Sequence, residues 1–96
     1  MSLGVAIVTG AAQGLGKAIA LRLAKDGYDI ALNDLPSQSE DLAAVKAEIE
    51  KSGRRAHVVT GDVSKEEDVK RSVEETVEVL GGLDAVRLSS FFEIAN

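Results

Sequence analysis

The sequence contains no cysteine and no tryptophan, and only one proline and one histidine among its 96 residues. Without cysteine there can be no disulfide and no thiolate metal site. The single histidine, His57, and the scattered acidic residues form no cluster at metal-ligand spacing, so we expect no metal centre. Basic residues are also the minority, 11 against 16 acidic ones. The chain therefore lacks the cationic face with which proteins bind nucleic acids.

Long hydrophobic runs are absent as well. The apolar stretch nearest the N-terminus, residues 5–9, has no basic segment before it. It is too short for a signal peptide or a membrane span, which needs about 20 apolar residues. We therefore expect no membrane partner and a cytoplasmic location. The apolar share of 45% and the charged share of 28% are ordinary for a globular protein, and the length allows one domain.

What the sequence does contain is an alternation of short apolar runs with amphipathic segments. The apolar runs predict buried strands over residues 4–9, 29–33, 56–60 and 83–88, the last interrupted at Arg87. Helical spacing predicts helices over 15–25, 40–52 and 64–80. Strands joined by helices pair in parallel through right-handed crossovers. We predict an α/β fold, a partial Rossmann fold whose parallel sheet has the order 3-2-1-4 with flanking helices.

The second and third helices carry signals for their starts, and the third also has a predicted buried face. Ser64-Lys65-Glu66-Glu67 reads as a capping box at the start of the third helix. Ser37 and Ser39 compete to cap the second helix. The third helix is expected to bury one apolar face, made of Val69, Val73, Val77 and Leu80.

A glycine-rich turn, Thr9-Gly10-Ala11-Ala12-Gln13-Gly14-Leu15-Gly16, joins the first strand to the first helix. Glycine lets the backbone approach a ligand phosphate, and the helix that follows presents N–H groups and the positive end of its dipole. A third glycine lets the helix lie close to the strand. An ordinary strand-to-helix loop is the alternative interpretation. The candidate cofactor-binding residues of this turn are Gly10, Gln13, Gly14, Leu15 and Gly16.

An acidic residue at the end of the second strand strengthens the dinucleotide interpretation. Asp34 lies 18 residues after Gly16, near the spacing of roughly 20 expected for a carboxylate that binds the ribose. A carboxylate accepts hydrogen bonds from ribose hydroxyls and repels a 2′-phosphate, and Gln13 adds no positive charge. We therefore predict NAD rather than NADP as the cofactor. The alternative role for Asp34 is turn formation ahead of Pro36.

The spacing Thr-Gly-x-x-x-Gly-x-Gly over residues 9–16 resembles that of the short-chain dehydrogenase/reductases. Gly61-Asp62-Val63-Ser64 is similar to the Asp-Val step of that family, and Gly81-Gly82-Leu83-Asp84 to its lead into the fourth strand. The resemblance covers residues 3–86, and the segment 10–27 looks nearest to acetoin/diacetyl reductases. It implies NAD(P)-dependent hydride transfer between alcohols and carbonyls, with Asp62 and Val63 beside the adenine. The alternative role for Asp62 is a favourable charge near the start of the third helix.

The resemblance stops after Val86, where the family continues with Asn-Asn-Ala-Gly and this chain has Arg87-Leu88-Ser89-Ser90. The catalytic Ser and the Tyr-x-x-x-Lys pair of the family have no match, since Tyr28 is followed by Leu32 four positions on. We assign no catalytic residue and expect a cofactor-binding half-domain over 1–86 with a divergent tail over 87–96, catalytically incomplete through truncation. The alternatives are a non-catalytic dinucleotide-binding module and an unstable fragment. An unpaired fourth-strand edge predicts self-association.

Overall fold

The computed structural model describes residues 2–88, and within that range strands and helices alternate throughout. The order is β1 (Gly4–Thr9), α1 (Gly14–Asp26), β2 (Tyr28–Asp34), a 3₁₀ turn (Pro36–Gln38), α2 (Ser39–Lys51), β3 (Ala56–Thr60), α3 (Glu66–Leu80) and β4 (Ala85–Leu88). All neighbouring strands pair in parallel in the order β3-β2-β1-β4. The predicted fold class and strand order are confirmed.

The fourth strand differs from its prediction in where it begins and in its continuity. It begins at Ala85, two residues later than expected, and runs unbroken through Arg87, which pairs with Val8 of β1. Parallel pairing uses backbone groups, so a charged residue does not interrupt the strand at a sheet edge. The predicted tail lies outside the described residues from Ser89 onward, and the division at residue 86 stays a prediction.

The main core lies between the sheet and the helices α1 and α2. The central strands are apolar along most of their length because they are covered on both faces. Helix α1 contributes small residues to this core, and α2 contributes larger ones. The buried core residues of these elements include Val8, Ile30, Leu32, Ala20, Ala24, Leu42, Val45 and Ile49.

Helix α2 begins without the serine cap that the sequence predicts. Gln38 occupies the N-cap position and makes no side-chain capping hydrogen bond. The Ser39 hydroxyl instead donates to the Pro36 carbonyl over 2.6 Å. Because the 3₁₀ turn leads directly into α2, the chain is already helical where the predicted caps would need an extended backbone.

Helix α3 buries a different face from the predicted one. Leu80 is buried as expected, but the other buried residues are Ser72 and Thr76, whereas Val69 and Val77 are 40% and 46% exposed. The Thr76 hydroxyl donates to the Ser72 carbonyl over 2.7 Å, so a polar side chain can be buried here without losing a hydrogen bond. The helix therefore packs on the sheet through Ser72, Thr76 and Leu80, which are four residues apart. Val69 and Val77 lie to the side of that contact.

A buried carboxylate ties the edge strand β3 to β2. Asp29 is 3% exposed and accepts hydrogen bonds from the backbone N–H of Arg55 at 3.0 Å and from its guanidinium at 3.1 and 3.3 Å. Burial by itself would raise the pKa of Asp29, but the hydrogen bonds from Arg55 outweigh burial and hold this pKa below its ordinary value. The interaction fixes the register in which Ile30 pairs with Ala56.

We predict that Asp29→Asn lowers the free energy of unfolding at pH 7 by about 1–3 kcal/mol, as expected when hydrogen bonds to a charged group are weakened. Because the folded pKa is depressed, the stabilisation is present above the unfolded pKa of about 3.9 and is lost as the pH falls through the folded value. The variant should therefore lose less stability in acid than the parent does. Urea unfolding of parent and variant at pH 7 and in acid measures the loss of stability at neutral pH and its dependence on pH.

Asp26→Asn is the matched control, because Asp26 forms an exposed pair with Arg22 within α1. Such surface pairs contribute about 0–1 kcal/mol. Equal losses of stability in the two variants would show that the Asp29 contact has no special role in holding β3.

Candidate functional site

The glycine turn between β1 and α1 depends on close backbone contact. Gly10 and Gly14 have φ angles of 63° and 60°, in the left-handed region that favours glycine. A Cβ atom on Gly16 would lie 1.9 Å from the carbonyl oxygen of Gly10, a distance that no side chain can occupy. The first turn of α1 therefore packs directly on the end of β1, as the sequence predicts for a third glycine.

The N-terminus of α1 is electrostatically different from those of α2 and α3. Its first turn holds no acidic residue, and Gln13 makes no side-chain capping hydrogen bond. The first turns of the other two helices carry acids: Glu40, Asp41, Glu66, Glu67 and Asp68. Gln13, Gly14 and Leu15 are exposed, and a Cβ on Gly14 would meet open space. The positive end of the α1 dipole is thus open to an anion.

Asp34 links the glycine turn to the end of β2. One carboxylate oxygen accepts from the backbone N–H of Ala12 at 3.2 Å, and the other accepts from the N–H of Leu35 at 2.8 Å. The backbone N–H of Ala11 also donates to the Asn33 carbonyl over 2.9 Å. Each carboxylate oxygen has a second lone pair, so Asp34 can still accept further hydrogen bonds from a ligand.

The exit from β3 forms a tight turn beside Asp34. The carboxylate of Asp62 accepts from the Ser64 hydroxyl at 2.7 Å and from its N–H at 2.9 Å, and these bonds lower the pKa of Asp62 below its ordinary value. The predicted capping box is therefore wrong. Lys65 is the N-cap and α3 begins at Glu66, so Ser64 lies before the cap and its hydroxyl donates to Asp62 instead of accepting from a helix N–H.

The carboxyl ends of β1, β2 and β3 surround a shallow pocket of about 230 Å³. Four predicted site residues line it: Gly10, Asp34, Asp62 and Val63. The other four predicted residues, Gln13, Gly14, Leu15 and Gly16, lie at the N-terminus of α1 and outside this lining. The structure thus divides the predicted site into a helix terminus and an adjoining pocket.

Sequence reasoning missed four further residues of this pocket: Thr9, Gly61, Asn33 and Leu35. The last two lie at the end of β2. Asn33 is buried and its amide donates to the Val59 carbonyl over 2.8 Å, which fixes β2 to β3 below the pocket. Leu35 is 45% exposed beside Asp34. Their position at the carboxyl end of a parallel strand is the one signal that could have indicated them.

A second, larger groove of about 320 Å³ adjoins the pocket on the α3 side of the sheet. It shares with the pocket the residues Thr9, Asn33, Gly61, Asp62 and Val63. Beyond them it is lined by Ile7 of β1, by Val86 of β4, and by four residues of α3: Asp68, Val69, Ser72 and Val73. Two of the three valines that were expected to be buried, Val69 and Val73, therefore form one wall of this groove.

Among residues 2–88, no three His, Cys, Asp or Glu side chains are grouped so that they could hold a metal ion. His57 instead pairs with Glu75 of α3 over 2.7 Å. No helix in the described part of the chain is long and apolar enough to cross a membrane.

The sequence model of the short chain dehydrogenase family matches residues 4–89. The chain belongs to the short-chain dehydrogenase family. The resemblance inferred from the glycine spacing and from the Asp-Val step is confirmed. The match ends three residues beyond Val86, the residue after which the resemblance in sequence stops.

Individual members of the family are similar over the same stretch. The short-chain dehydrogenase/reductase eriH of Hericium erinaceus is 53% identical over 85 residues, which are 86% of this chain and 34% of that protein. The crystal structure of a dehydrogenase/reductase from Sinorhizobium meliloti 1021 matches with a TM-score of 0.85 and 40% identity, covering 92% of this chain and 34% of the other. A blue fluorescent protein from a metagenomic library, crystallised with NADPH, has a TM-score of 0.83 and 37% identity, covering 88% and 35%. The present short-chain dehydrogenase sequence spans about a third of the length of these relatives.

We predict that Gly16→Ala lowers the free energy of unfolding, by about 1–3 kcal/mol as for other overpacked sites. Alanine normally stabilises a helix relative to glycine by up to about 1 kcal/mol, so a net loss must come from the clash with Gly10. Urea or thermal unfolding measures the change. Gly82→Ala is the control, since a Cβ there meets nothing and its φ is not positive. A Gly16→Ala variant as stable as the parent would refute the close contact.

Proposed function

We propose that this chain binds NAD(H) at the carboxyl edge of its sheet, as the cofactor-binding part of an oxidoreductase that moves hydride between nicotinamide and an alcohol or carbonyl substrate. One observation carries the proposal: the open N-terminus of α1, the Asp34 carboxylate and the Asp62-Val63 turn adjoin one another at that edge. These three features match the phosphates, the ribose and the adenine of a dinucleotide in chemistry and in order.

The residues present fit such a cofactor. Gly14 faces open space and lets the backbone come close to a pyrophosphate, while Gly16 lets α1 begin against the end of β1. The uncompensated α1 dipole favours the negative charge of the pyrophosphate. Asp34 retains lone pairs for the ribose hydroxyls. Leu35 and Val63 are 45% and 46% exposed at the pocket and offer apolar surface to an adenine ring. When bound, the cofactor would supply hydride transfer, while the chain's own residues would bind and orient it.

The choice of NAD over NADP rests on Asp34. A 2′-phosphate on the ribose would lie next to this carboxylate, and like charges at close range repel. The relative that was crystallised with NADPH shows that proteins of this fold accept the phosphorylated cofactor. The preference must therefore come from individual residues such as Asp34 and not from the fold.

No residue of this chain is proposed to be catalytic. Tyr28 lies at the amino end of β2, where it pairs in register with Gly4, so it is at the opposite edge of the sheet from the pocket. A dinucleotide-binding module without catalysis would use the same site, and the position of Tyr28 favours that alternative for residues 2–88. The acetoin/diacetyl reductase likeness and the cytoplasmic location stay predictions.

Titration with NADH and NADPH, followed by nicotinamide fluorescence and by the thermal melt, tests the cofactor. We expect NADH to bind saturably and to raise the melting midpoint, because a ligand that binds only the folded state stabilises it. Asp34→Asn keeps an acceptor for Ala12 and removes the charge. It should therefore narrow the preference for NADH over NADPH by about tenfold, equivalent to ~1.4 kcal/mol.

Asp41→Asn, an exposed acid in the first turn of α2, removes the same charge away from the pocket and should leave the preference unchanged. Asp34→Ala would be a poorer variant, since it also removes the anchor of the glycine turn at Ala12. If Asp34→Asn rejects NADPH as strongly as the parent does, Asp34 does not set the cofactor preference.

We also propose that the chain self-associates through the free edge of β4. Within the described residues β4 pairs only with β1, and Val86 is 49% exposed beside the groove. An unpaired edge next to apolar surface favours pairing between copies.

Sedimentation over a range of concentrations should show dimers or larger species in the parent and fewer in Val86→Lys. Val79→Lys, at a site 47% exposed outside the groove, is the control. A parent that stays monomeric at high concentration would refute this proposal.

A further inference from the structure

The turn after β3 is held by a side chain from the helix that follows it. The backbone N–H of Asp62 donates to a carboxylate oxygen of Asp68 over 2.9 Å. Asp68 lies in the first turn of α3, whose N-cap, Lys65, makes no side-chain capping hydrogen bond. In a capping box, an acidic residue at this helical position reaches back to the N-cap N–H. Here the carboxylate reaches three residues further back, to the residue that lines the pocket.

Arg71 fixes the Asp68 carboxylate in place. Its guanidinium lies 3.2 Å from the second oxygen of Asp68 and donates to the Thr60 carbonyl over 3.3 Å. The hydrogen bond from the Asp62 N–H, followed by the charges of Arg71 and Lys65, lowers the pKa of Asp68 below its ordinary value. Asp68 is therefore charged at neutral pH, with its two oxygens divided between Arg71 and the turn.

Asp68 lies so close to the turn that Gly61, the residue before Asp62, has little room for a side chain. A Cβ on Gly61 would lie 3.2 Å from the Cβ of Asp68. Asp68 lines the larger groove but not the shallow pocket, whereas Asp62 and Val63 line both. The Asp68 carboxylate thus acts from behind the turn and has no surface in the pocket.

We infer that Asp68, supported by Arg71, is a positioning residue of the dinucleotide site: from α3 it holds the Asp62-Val63 turn in the shape that receives the adenine end of the cofactor. The inference rests on the proposed function. Strand β3 itself is held by its pairing with β2 and by the Asp29 contact, neither of which involves Asp68. Removal of Asp68 should therefore impair binding more than folding.

The test compares Asp68→Ala, Asp68→Asn and Glu67→Ala in the whole chain. Glu67 is an exposed acid one residue away in the same helical turn, so its removal matches the loss of charge. Three quantities are measured: the dissociation constants for NADH and for ADP, the melting midpoint, and the hydrogen-exchange rate of the Asp62 amide by NMR. ADP carries the adenine, ribose and phosphates without the nicotinamide.

We expect Asp68→Ala to weaken NADH and ADP binding equally, by about five- to tenfold, which is less than the full effect of one hydrogen bond to a charged group because Asp68 acts through the turn. The melt should stay cooperative and the Asp62 amide should exchange faster. Asp68→Asn, which keeps an acceptor oxygen, should restore most of the affinity, and Glu67→Ala should match the parent. If Asp68→Ala does not melt cooperatively, Arg71→Gln replaces it and should weaken binding more than Glu67→Ala does.

Failure of this inference and failure of the proposed function give different results. Parent-like NADH binding by Asp68→Ala, or an equal loss in Glu67→Ala, would overturn the positioning role while leaving the cofactor site intact. A parent that binds neither NADH nor ADP would overturn the proposed function, and the positioning role with it.

Discussion

The close contact between the first turn of α1 and the end of β1 controls the rest of the candidate site. Because Gly16 leaves no room for a Cβ against the Gly10 carbonyl, the helix starts directly above the strand. That placement puts the N-terminus of α1 at the carboxyl edge of the sheet. It also brings Ala12 within hydrogen-bonding distance of Asp34, so the ends of β1 and β2 become one surface. A wider helix–strand spacing would separate the helix dipole from the carboxylate.

Much of the fold could be predicted because its central strands are buried on both faces. The runs at residues 4–9 and 29–33 have no alternation of apolar and polar residues, and the helices between the strands are long enough for crossover connections. The buried face of α3 could not be predicted in the same way. Its valines and its Ser72-Thr76 row both follow helical spacing, and only the packing shows that the smaller residues lie against the sheet.

The same limit applies to the candidate site. Glycines and an acid at fixed spacing carry a physical reason for their positions, so the turn at 10–16 and Asp34 could be proposed from sequence. Leu35 and Asn33 carry no such signal, since a leucine after a strand is chemically ordinary. The predicted capping box is wrong for a local reason, because the Ser64 hydroxyl donates to Asp62 two residues earlier instead of accepting from an N–H of the helix N-terminus.

Affinity and selectivity come from different parts of this arrangement. The glycine turn and the helix dipole act through backbone groups, which attract any phosphate and do not distinguish NAD from NADP. In the proposed site, Asp34 acts through a side chain at the edge of the pocket and would distinguish NAD from NADP by charge. The Asp62-Val63 turn depends in turn on α3, through Asp68. We therefore expect a substitution on α3 to weaken cofactor binding without altering which cofactor is preferred. A substitution at Asp34 should alter the preference while the glycine turn keeps its shape.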